Sequence, residues 1–322
     1  MNPLATALAT LHLRVFERGW LSANNILFDG PQGTALVDSG YVTHAAQTLA
    51  LVGHALGARP LQRLLNTHLH SDHCGGNAAL QAHYPELVTL IPPGQAEAVR
   101  TWDENRLSYR ATGQCCARFR ADALLQPDNA VALGGCWWQI HAAPGHDPDA
   151  VLLFEPQARV LIAGDALWQH GFGVVFPELD GEPGFAAVGA TLDLIERLAP
   201  RLVIPGHGAP FGDPAHTDAH RPAAPVAAAL AVARQRLAAF VAEPARHRQH
   251  ALKVLLKFKL LQWQRQTLTH VFAWAHGVPY LVRLHAQYGA GQPFDAWLQA
   301  LIDALCTSGA ARREGDWLID GG

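Results

Sequence analysis

The sequence predicts an α/β protein followed by a smaller, mainly helical C-terminal part. Short apolar, strand-like runs alternate with helix-like segments over the first two thirds of the chain, and several runs end at a glycine and a histidine or aspartate. The charge then changes sign. Residues 1–220 carry 12 arginines and 21 acidic residues, whereas residues 221–322 carry 12 basic and 6 acidic residues. We therefore expect two domains, 1–220 and 221–322.

The composition excludes several classes of protein. The 322 residues are 49% hydrophobic and 16% charged, which fits a globular chain with a large core and not a disordered one. The apolar runs fall well short of the roughly 20 residues of a membrane-spanning helix, and the start lacks the basic region of a signal peptide. We therefore expect a cytoplasmic protein without a membrane partner. The five cysteines are odd in number and lack the Cys-x-x-Cys spacing, which predicts reduced thiols.

The first segment, residues 11–37, predicts a β-meander. Its apolar runs are broken by Gly19 and by a Gly- and Pro-containing turn at residues 29–33. The last run ends at Asp38. A structural interpretation of this aspartate is that it caps a turn or a helix. Apolar positions then recur at helical spacing over residues 43–57, so a helix is expected there.

Residues 67–76 hold a dense cluster of ligand-type side chains. His68, His70 and His73 surround Asp72 within six residues, on a loop between a strand end and a helix-like segment. Neutral imidazoles and carboxylates are good ligands for zinc or iron, and such a loop can direct them toward one point. Solvated loop histidines are the alternative, but the spacing His-x-His-x-Asp-His is far more specific than scattered histidines.

Three later strand-like runs end in the same way, each at a glycine and a ligand-type residue. The ligand-type residues are His146, Asp165 and His207. Because several strand ends of one sandwich can converge on one cavity, the repeated pattern predicts a single site that draws on distant parts of the chain. His170, a few residues after Asp165, is expected to line the pocket without binding metal.

Residues 94–130 show no clear periodicity. They mix Trp102, Tyr109 and five arginines with the adjacent pair Cys115 and Cys116. We predict a helical insertion over the site that acts as a lid or selects substrate. A redox role for the cysteine pair is the alternative, but adjacent cysteines rarely form a disulfide without strain.

The C-terminal part predicts five helices and a hairpin. The helices are expected over residues 226–242, 248–262, 264–276, 278–289 and 293–308, and the hairpin turns at residues 314–316. Lys253, Lys257 and Lys259 alternate with leucines that need a surface to bury them. The basic tail therefore either binds nucleic acid or packs on the acidic domain or on a second copy of the chain in a homodimer, and the leucines favour packing.

These motifs together resemble the signature of the metallo-β-lactamase superfamily, the hydrolases that include glyoxalase II and several nucleases. The resemblance covers residues 11–213 and implies an αββα sandwich. The order of elements in the tail resembles the winged-helix domain appended to some of these hydrolases. The implied ligands are His68, His70 and His146 for one metal ion, and Asp72, His73 and His207 for a second, with Asp165 as the bridge.

The resemblance also implies the chemistry. Two divalent ions would lower the pKa of a shared water so that hydroxide attacks the substrate. Asp72 would orient the hydroxide, and Asp38 would support the ligand loop, residues 67–76. Zinc is the first expectation, and iron and manganese accept the same ligands. The aspartate at position 165 is similar to the bridging residue of glyoxalase II and the nucleases. True β-lactamases usually have cysteine or serine at that position, so the resemblance argues against hydrolysis of antibiotics.

The leading functional expectation is hydrolysis of a small-molecule ester, thioester or lactone. The Lys and Tyr pattern of the glutathione site in glyoxalase II is not found, which argues against a glutathione thioester. Two alternatives stay open. The basic tail suggests a phosphodiesterase or endoribonuclease, and a third branch contains iron-dependent oxidoreductases of the persulfide dioxygenase kind, although these need only some of the ligands.

Overall fold

The computed structural model describes residues 3–322. Two six-stranded β-sheets face each other, and helices cover the outer face of each sheet. The predicted α/β sandwich is confirmed. The remaining helices and a small three-stranded sheet follow in the C-terminal part of the chain.

The first sheet contains the predicted β-meander. Its strands, in spatial order, are β1 (Leu13–Phe16), β2 (Asn25–Gly30), β3 (Gly33–Val37), β4 (Arg63–Leu65), β5 (Val88–Ile91) and β6 (Ala123–Leu124). Strands β1 to β3 are antiparallel, whereas β3 to β6 run parallel. Parallel neighbours need a long crossover, so a helical connection after β3 returns the chain to the end of the sheet at which β3 began, and β4 starts there.

The second sheet provides the other half of the sandwich. Its strands are β7 (Ala130–Leu133), β8 (Cys136–Ala142), β9 (Val151–Glu155), β10 (Val160–Gly164), β11 (Leu202–Pro205) and β12 (Phe211–Gly212). Strands β7 to β10 are antiparallel, and β10 pairs with β11 in parallel. The ends of β10 and β11 therefore lie side by side, which brings the residues that follow them together.

Within residues 3–322, eight α-helices accompany the two sheets. They are α1 (Pro3–Ala9), α2 (Ala45–Leu56), α3 (Ser71–Cys74), α4 (Asn77–His83), α5 (Ala96–Thr101), α6 (Tyr109–Thr112), α7 (Phe176–Leu179) and α8 (Gly184–Leu198). Single 3-10 turns occur at Val42–His44 and Pro93–Gln95. The helix predicted over residues 43–57 is confirmed as α2, whereas α1 was not predicted.

Alternation along the strands divides the core into layers. Phe28 points between the sheets, where its ring meets that of Trp138 with centroids 5.3 Å apart. Its neighbour Leu27 points the other way and packs with Val52 and Leu56 of α2. Successive side chains of a strand face opposite sides, so a sheet covered on both faces must be apolar throughout.

The insertion at residues 94–130 is less helical than predicted. Beyond the short helices α5 and α6 the chain is extended, and β6 pairs with the edge of the first sheet. The carboxylate of Asp122 accepts a hydrogen bond from the amide of Thr89, which favours strand pairing over another helical turn. The predicted position is correct, because Tyr109 and Phe119 pack with Leu69 of the ligand loop.

The C-terminal part contains the predicted five helices and hairpin. These elements are α9 (Ala224–Ala242), α10 (Pro244–Trp263), α11 (Leu268–His276), α12 (Pro279–Tyr288), α13 (Phe294–Thr307), β13 (Arg265–Thr267), β14 (Ala311–Glu314) and β15 (Trp317–Asp320). Helix α10 begins four residues earlier than predicted, with a proline in its first turn, where the missing N–H costs nothing. The prediction of a helix from residue 264 is wrong at its start, because residues 265–267 form β13, which pairs with β15, and α11 begins only at Leu268.

The leucines of α10 are buried, as their spacing predicts. Leu252, Leu256 and Leu260 belong to one apolar cluster shared by α10 to α13. Two of the three lysines form hydrogen bonds with other residues of the chain. Lys257 Nζ lies 2.6 Å from Asp320 Oδ1, and Lys259 Nζ donates to the carbonyl of residue 113 at 3.0 Å. The Lys259 contact crosses to the first part of the chain and supports packing of the tail on it, whereas the Lys257 contact lies within the tail.

Helix α9 is long and apolar enough to cross a membrane. Most of its apolar character comes from alanine, and one side packs through Leu230 and Ala233 in the cluster that covers the second sheet. Its Arg234 contacts Asp193 and Glu196 of α8. A helix in the core of a soluble protein can have the same length and composition, and the absence of a membrane partner stays a prediction.

Candidate metal centre

The structure brings all seven predicted ligand residues together at the end of the sandwich where β4, β10 and β11 finish. They form two groups, and within each group the potential ligand atoms lie within 4.8 Å of one another. The first group is His68, His70 and His146, and the second is Asp72, His73, Asp165 and His207. This is the division that the sequence motifs imply.

The three histidines of the first group point their ring nitrogens at one spot. His68 Nε2 lies 3.1 Å from His70 Nδ1, which lies 2.8 Å from His146 Nε2. A tetrahedral zinc ion with Zn–N distances of about 2.0–2.1 Å separates its nitrogen ligands by roughly 3.3 Å. Burial lowers the pKa of His70 and of His146 to about 4, so both rings are neutral and have lone pairs for a cation at pH 7.

The second group combines two imidazoles with two carboxylates. His207 Nε2 lies 3.1 Å from Asp72 Oδ2, and His73 Nε2 lies 3.4 Å from Asp165 Oδ1. The Nε2 atom of His73 is buried and has no hydrogen-bond partner among residues 3–322. Leaving a buried polar atom unpaired is costly, so this nitrogen fits the role of a ligand to a divalent metal ion.

Asp165 faces both groups. Its Oδ1 lies 3.4 Å from His73 Nε2, and its Oδ2 lies 3.4 Å from His146 Nε2. Burial alone would raise its pKa, but His73 and His207 hold the pKa well below the usual range. The indole N–H of Trp168 donates to Oδ1 at 3.1 Å and fixes the carboxylate. An ionised carboxylate held between two sets of nitrogen ligands is suited to bridge two cations.

Asp38 contacts a ligand rather than a helix end. Its Oδ2 lies 2.8 Å from His73 Nδ1, and its two oxygens also accept the amide and hydroxyl hydrogen bonds of Thr67. Burial opposes protonation of His73, but Asp38, Asp165 and Asp72 together raise its pKa well above the ordinary value. The hydrogen bond at Nδ1 orients the ring so that Nε2 faces the site.

One peptide unit connects the first group to the C-terminal part. His146 Nδ1 donates to the carbonyl of Val174 at 2.5 Å, and the amide of Val175 donates to His247 Nε2 at 3.2 Å. The carbonyl and the amide belong to the same peptide bond. The sequence does not predict this contact, because the contact is made through backbone atoms of residues 174 and 175. His247 lies in a helix that carries no motif.

Aromatic rings surround both groups. Trp20 stacks on His207 with ring centroids 5.4 Å apart, and Trp168 contacts the same imidazole at 5.5 Å. Phe176 lies 5.4 Å from the ring of His70 on the other side. His170 lines the neighbouring cavity, as predicted. Trp20 and Phe176 were not predicted, because each lies in a segment without a ligand-type pattern.

A cavity of about 780 Å³ opens over the two groups. Its lining is mostly apolar and comes from both parts of the chain. His70 and Asp165 form its floor, while Arg236, Phe258 and Tyr280 from the C-terminal helices form another wall. A cavity of this size is typical of a site for a small-molecule substrate.

Comparisons with known proteins agree with this geometry. A family model described as the metallo-beta-lactamase superfamily matches residues 18–207. The chain is 27% identical over 228 residues to the acyl-coenzyme A thioesterase MBLAC2 of Gallus gallus, a match that covers 66% of this chain and 81% of that protein. It is 34% identical over 161 residues to a hydroxyacylglutathione hydrolase of Anaeromyxobacter dehalogenans (strain 2CP-C), covering 49% of this chain and 52% of that protein. This chain therefore spans only about half the length of the hydroxyacylglutathione hydrolase.

Likeness to a solved structure extends over nearly the whole chain. A metallo-beta-lactamase family protein from Thermus thermophilus superposes with a TM-score of 0.52 at 20% identity. The superposition covers 96% of this chain and 98% of that one, so it shows a shared fold. The family match includes the loop of His68 to His73 and extends through Asp165 to His207. The chain therefore belongs to the metallo-β-lactamase superfamily.

Proposed function

We propose that the protein is a metal-dependent hydrolase that cleaves thioesters at a site for two divalent ions. The position of Asp165 carries this proposal, because each of its oxygens faces one of the two ligand groups. The names of both relatives, an acyl-coenzyme A thioesterase and a hydroxyacylglutathione hydrolase, support a thioester as the bond that is cleaved. The thioester is one of the three substrate types predicted from the sequence, together with small esters and lactones.

The surrounding residues position the reactants. Two bound divalent ions would lower the pKa of a water molecule and polarise the substrate carbonyl. Asp72 lies at the mouth of the second group, where its carboxylate can accept a proton from the attacking water. Trp20 lies against His207 of one group and Phe176 against His70 of the other, and apolar rings there limit the entry of bulk water, which strengthens electrostatic interactions.

The donor set also bears on the choice of metal. Five imidazoles and two carboxylates are present in the two groups. Imidazole suits zinc and iron, and carboxylate also suits manganese. Zinc stays the first expectation. Metal analysis of the purified protein should find close to two ions per chain, and their elemental identity will decide between the three metals.

Replacing Asp165 tests the proposed site. Asp165→Asn keeps the shape of the side chain but removes the charge that faces both groups, so metal content should fall below two ions per chain. Hydrolysis of a thioester, followed by release of free thiol, should fall at least ~100-fold. Asp193→Asn, at an exposed aspartate of α8, is the matched control and should leave both values unchanged. Near-normal metal content and turnover in Asp165→Asn would refute the proposal.

A further inference from the structure

The cavity over the metal centre contains a positive charge that no carboxylate neutralises. The cationic side chains that line it are Arg106, Arg236, Lys257 and Arg283, and two of them are paired: Lys257 with Asp320, and Arg283 with Asp180. Arg236, on α9, has no carboxylate within 4.0 Å among the residues that the structure describes. A partly buried guanidinium without an anionic partner is costly unless a ligand supplies one.

The guanidinium of Arg236 is held in a defined position. Its Nη1 lies 3.4 Å from the carbonyl of His170, and its Nη2 lies 3.4 Å from His250 Nε2. A Cβ atom at Gly171 would lie 2.5 Å from Nη1, so the absence of a side chain there makes room for the group. The contacts are long and use only two of five N–H donors, which leaves donors for a ligand.

The loop that receives Arg236 also contains groups of the metal centre. It follows Asp165 and includes Trp168, whose indole fixes the Asp165 carboxylate. The backbone of Trp168 pairs with that of Gly171, so the loop is a compact unit. Arg236 therefore lies one short loop away from the reacting groups, within reach of the part of a substrate that extends beyond its scissile bond.

The rest of the cavity wall indicates the other part of the substrate. Val254, Phe258 and Leu261 of α10 line the cavity together with Phe176, and none of these four side chains is fully buried by protein. Apolar side chains that face a cavity gain free energy when a ligand removes them from water. The wall thus fits an aliphatic or aromatic acyl group. A small polar ester would leave these apolar side chains uncovered.

We propose that the substrate is an acyl thioester on a phosphate-bearing carrier, with Arg236 binding a phosphate of the carrier and the α10 wall binding the acyl group. This inference rests on the proposed function. Guanidinium is suited to the phosphate because it forms paired, charge-assisted hydrogen bonds with phosphate oxygens. Arg236 is thereby a specificity-determining residue for the carrier.

Two substrates with the same acyl group separate this role from a structural one. Octanoyl-coenzyme A carries phosphates, whereas octanoyl-N-acetylcysteamine has the same thioester without them. Arg236→Gln should raise KM for octanoyl-coenzyme A about tenfold or more, and change kcat and the KM for the phosphate-free substrate less than about twofold. The increase in KM should shrink at high salt, because salt weakens the wild-type contact.

Arg234→Gln is the matched control. Arg234 lies two residues away on the same helix but pairs with Asp193 and Glu196 outside the cavity, so the variant should behave like the wild type on both substrates. A KM increase in Arg236→Gln that also occurs with octanoyl-4′-phosphopantetheine places the contact at the phosphate shared by coenzyme A and carrier proteins. An increase with coenzyme A alone places it at the nucleotide phosphates. Both results support the inference.

Two results would overturn it. Equal losses on the phosphate-bearing and phosphate-free substrates would show that Arg236 only holds the loop of residues 168–171, and no change on either would show that it does not meet the carrier. In both cases the wild type still cleaves thioesters and the proposed function stands. If the metal-loaded wild type cleaves none of the three thioesters, the proposed function itself fails.

Discussion

The single residue with the most influence on the ligand geometry, apart from the ligands, is Asp38. It is buried, and its carboxylate contacts both His73 and Thr67 of the ligand loop. Asp38→Asn should weaken metal binding ~10–100-fold, because an amide oxygen orients the imidazole less strongly than a carboxylate. Metal retained during dialysis against a chelator gives the measurement. Retention equal to that of Asp29→Asn, at an exposed ion pair with Arg59, would contradict this role.

Cys74 lies beside a ligand residue but is not expected to take part in the reaction. Burial raises the pKa of its thiol well above the ordinary value, and the sulfur lies 3.1 Å from the hydroxyl of Tyr109 within an apolar cluster. Cys74→Ser should keep turnover within about twofold of the wild type and lower the free energy of unfolding by ~1 kcal/mol. Turnover and urea denaturation check both values. A large loss of turnover with full metal content would mean that the thiol has a chemical role.

At the scale of residues, the ligand set was predictable and its surroundings were not. His68, His70 and His73 lie in one loop, so their spacing alone predicts a shared site. Trp20 and Phe176 contact the same centre from positions 48 or more residues away from that loop in sequence. No local pattern specifies such contacts, because they arise only when the two sheets and the C-terminal helices pack together.

At the scale of elements, α10 links stability to pH. Burial, reinforced by the charges of Arg248 and Arg236, lowers the pKa of His247 from 6.5 to about 4. The folded protein then binds fewer protons than the unfolded chain between these pH values. The free energy of unfolding should therefore be fully present above about pH 6.5 and fall as the pH drops toward 4.

The variant His247→Gln tests this linkage. Glutamine can still accept the hydrogen bond of the Val175 amide but does not titrate, so the pH dependence should be shallower than in the wild type by up to one proton. Urea denaturation at several pH values between 4 and 7 gives the two slopes. Identical slopes would show that His247 does not contribute.

The long, periodic elements were the predictable ones. The leucine spacing of α10 and the apolar runs of β9 to β11 predict both their type and their buried faces. Strand β13 is only three residues long and reads Arg-Gln-Thr, so neither its composition nor its length indicates a strand. It forms because β15 offers it backbone partners, which is information from another part of the chain.

At the scale of the whole molecule, the balance of charge between the two parts has a testable meaning. Lys257 and Lys259 are bonded within the chain, so the basic tail has fewer free cations than its composition suggests. We expect negligible binding of single-stranded RNA by the intact protein, even at low salt, measured by fluorescence anisotropy with a labelled oligonucleotide. Tight binding that weakens steeply with salt would instead support the endoribonuclease alternative.

The division into domains 1–220 and 221–322 is a useful description of the sequence, and it stays a proposal for the folded chain. The cavity draws its floor from one part and a wall from the other, and the cluster shared by α10 to α13 includes Val174 and Leu179 from the first part. A composition shift reports where the chain changes character. It does not report which surfaces the two parts bury against each other.

The peptide bond between Val174 and Val175 limits how this chain can be re-engineered. Its carbonyl faces a residue of the metal centre and its amide faces α10, so one rigid plane responds to changes on either side. A chimera that replaced the C-terminal helices with those of a relative would have to restore an acceptor at the position of His247. Without one, exchange of the two parts as independent modules would disturb the geometry of His146, even if every metal-facing residue were retained.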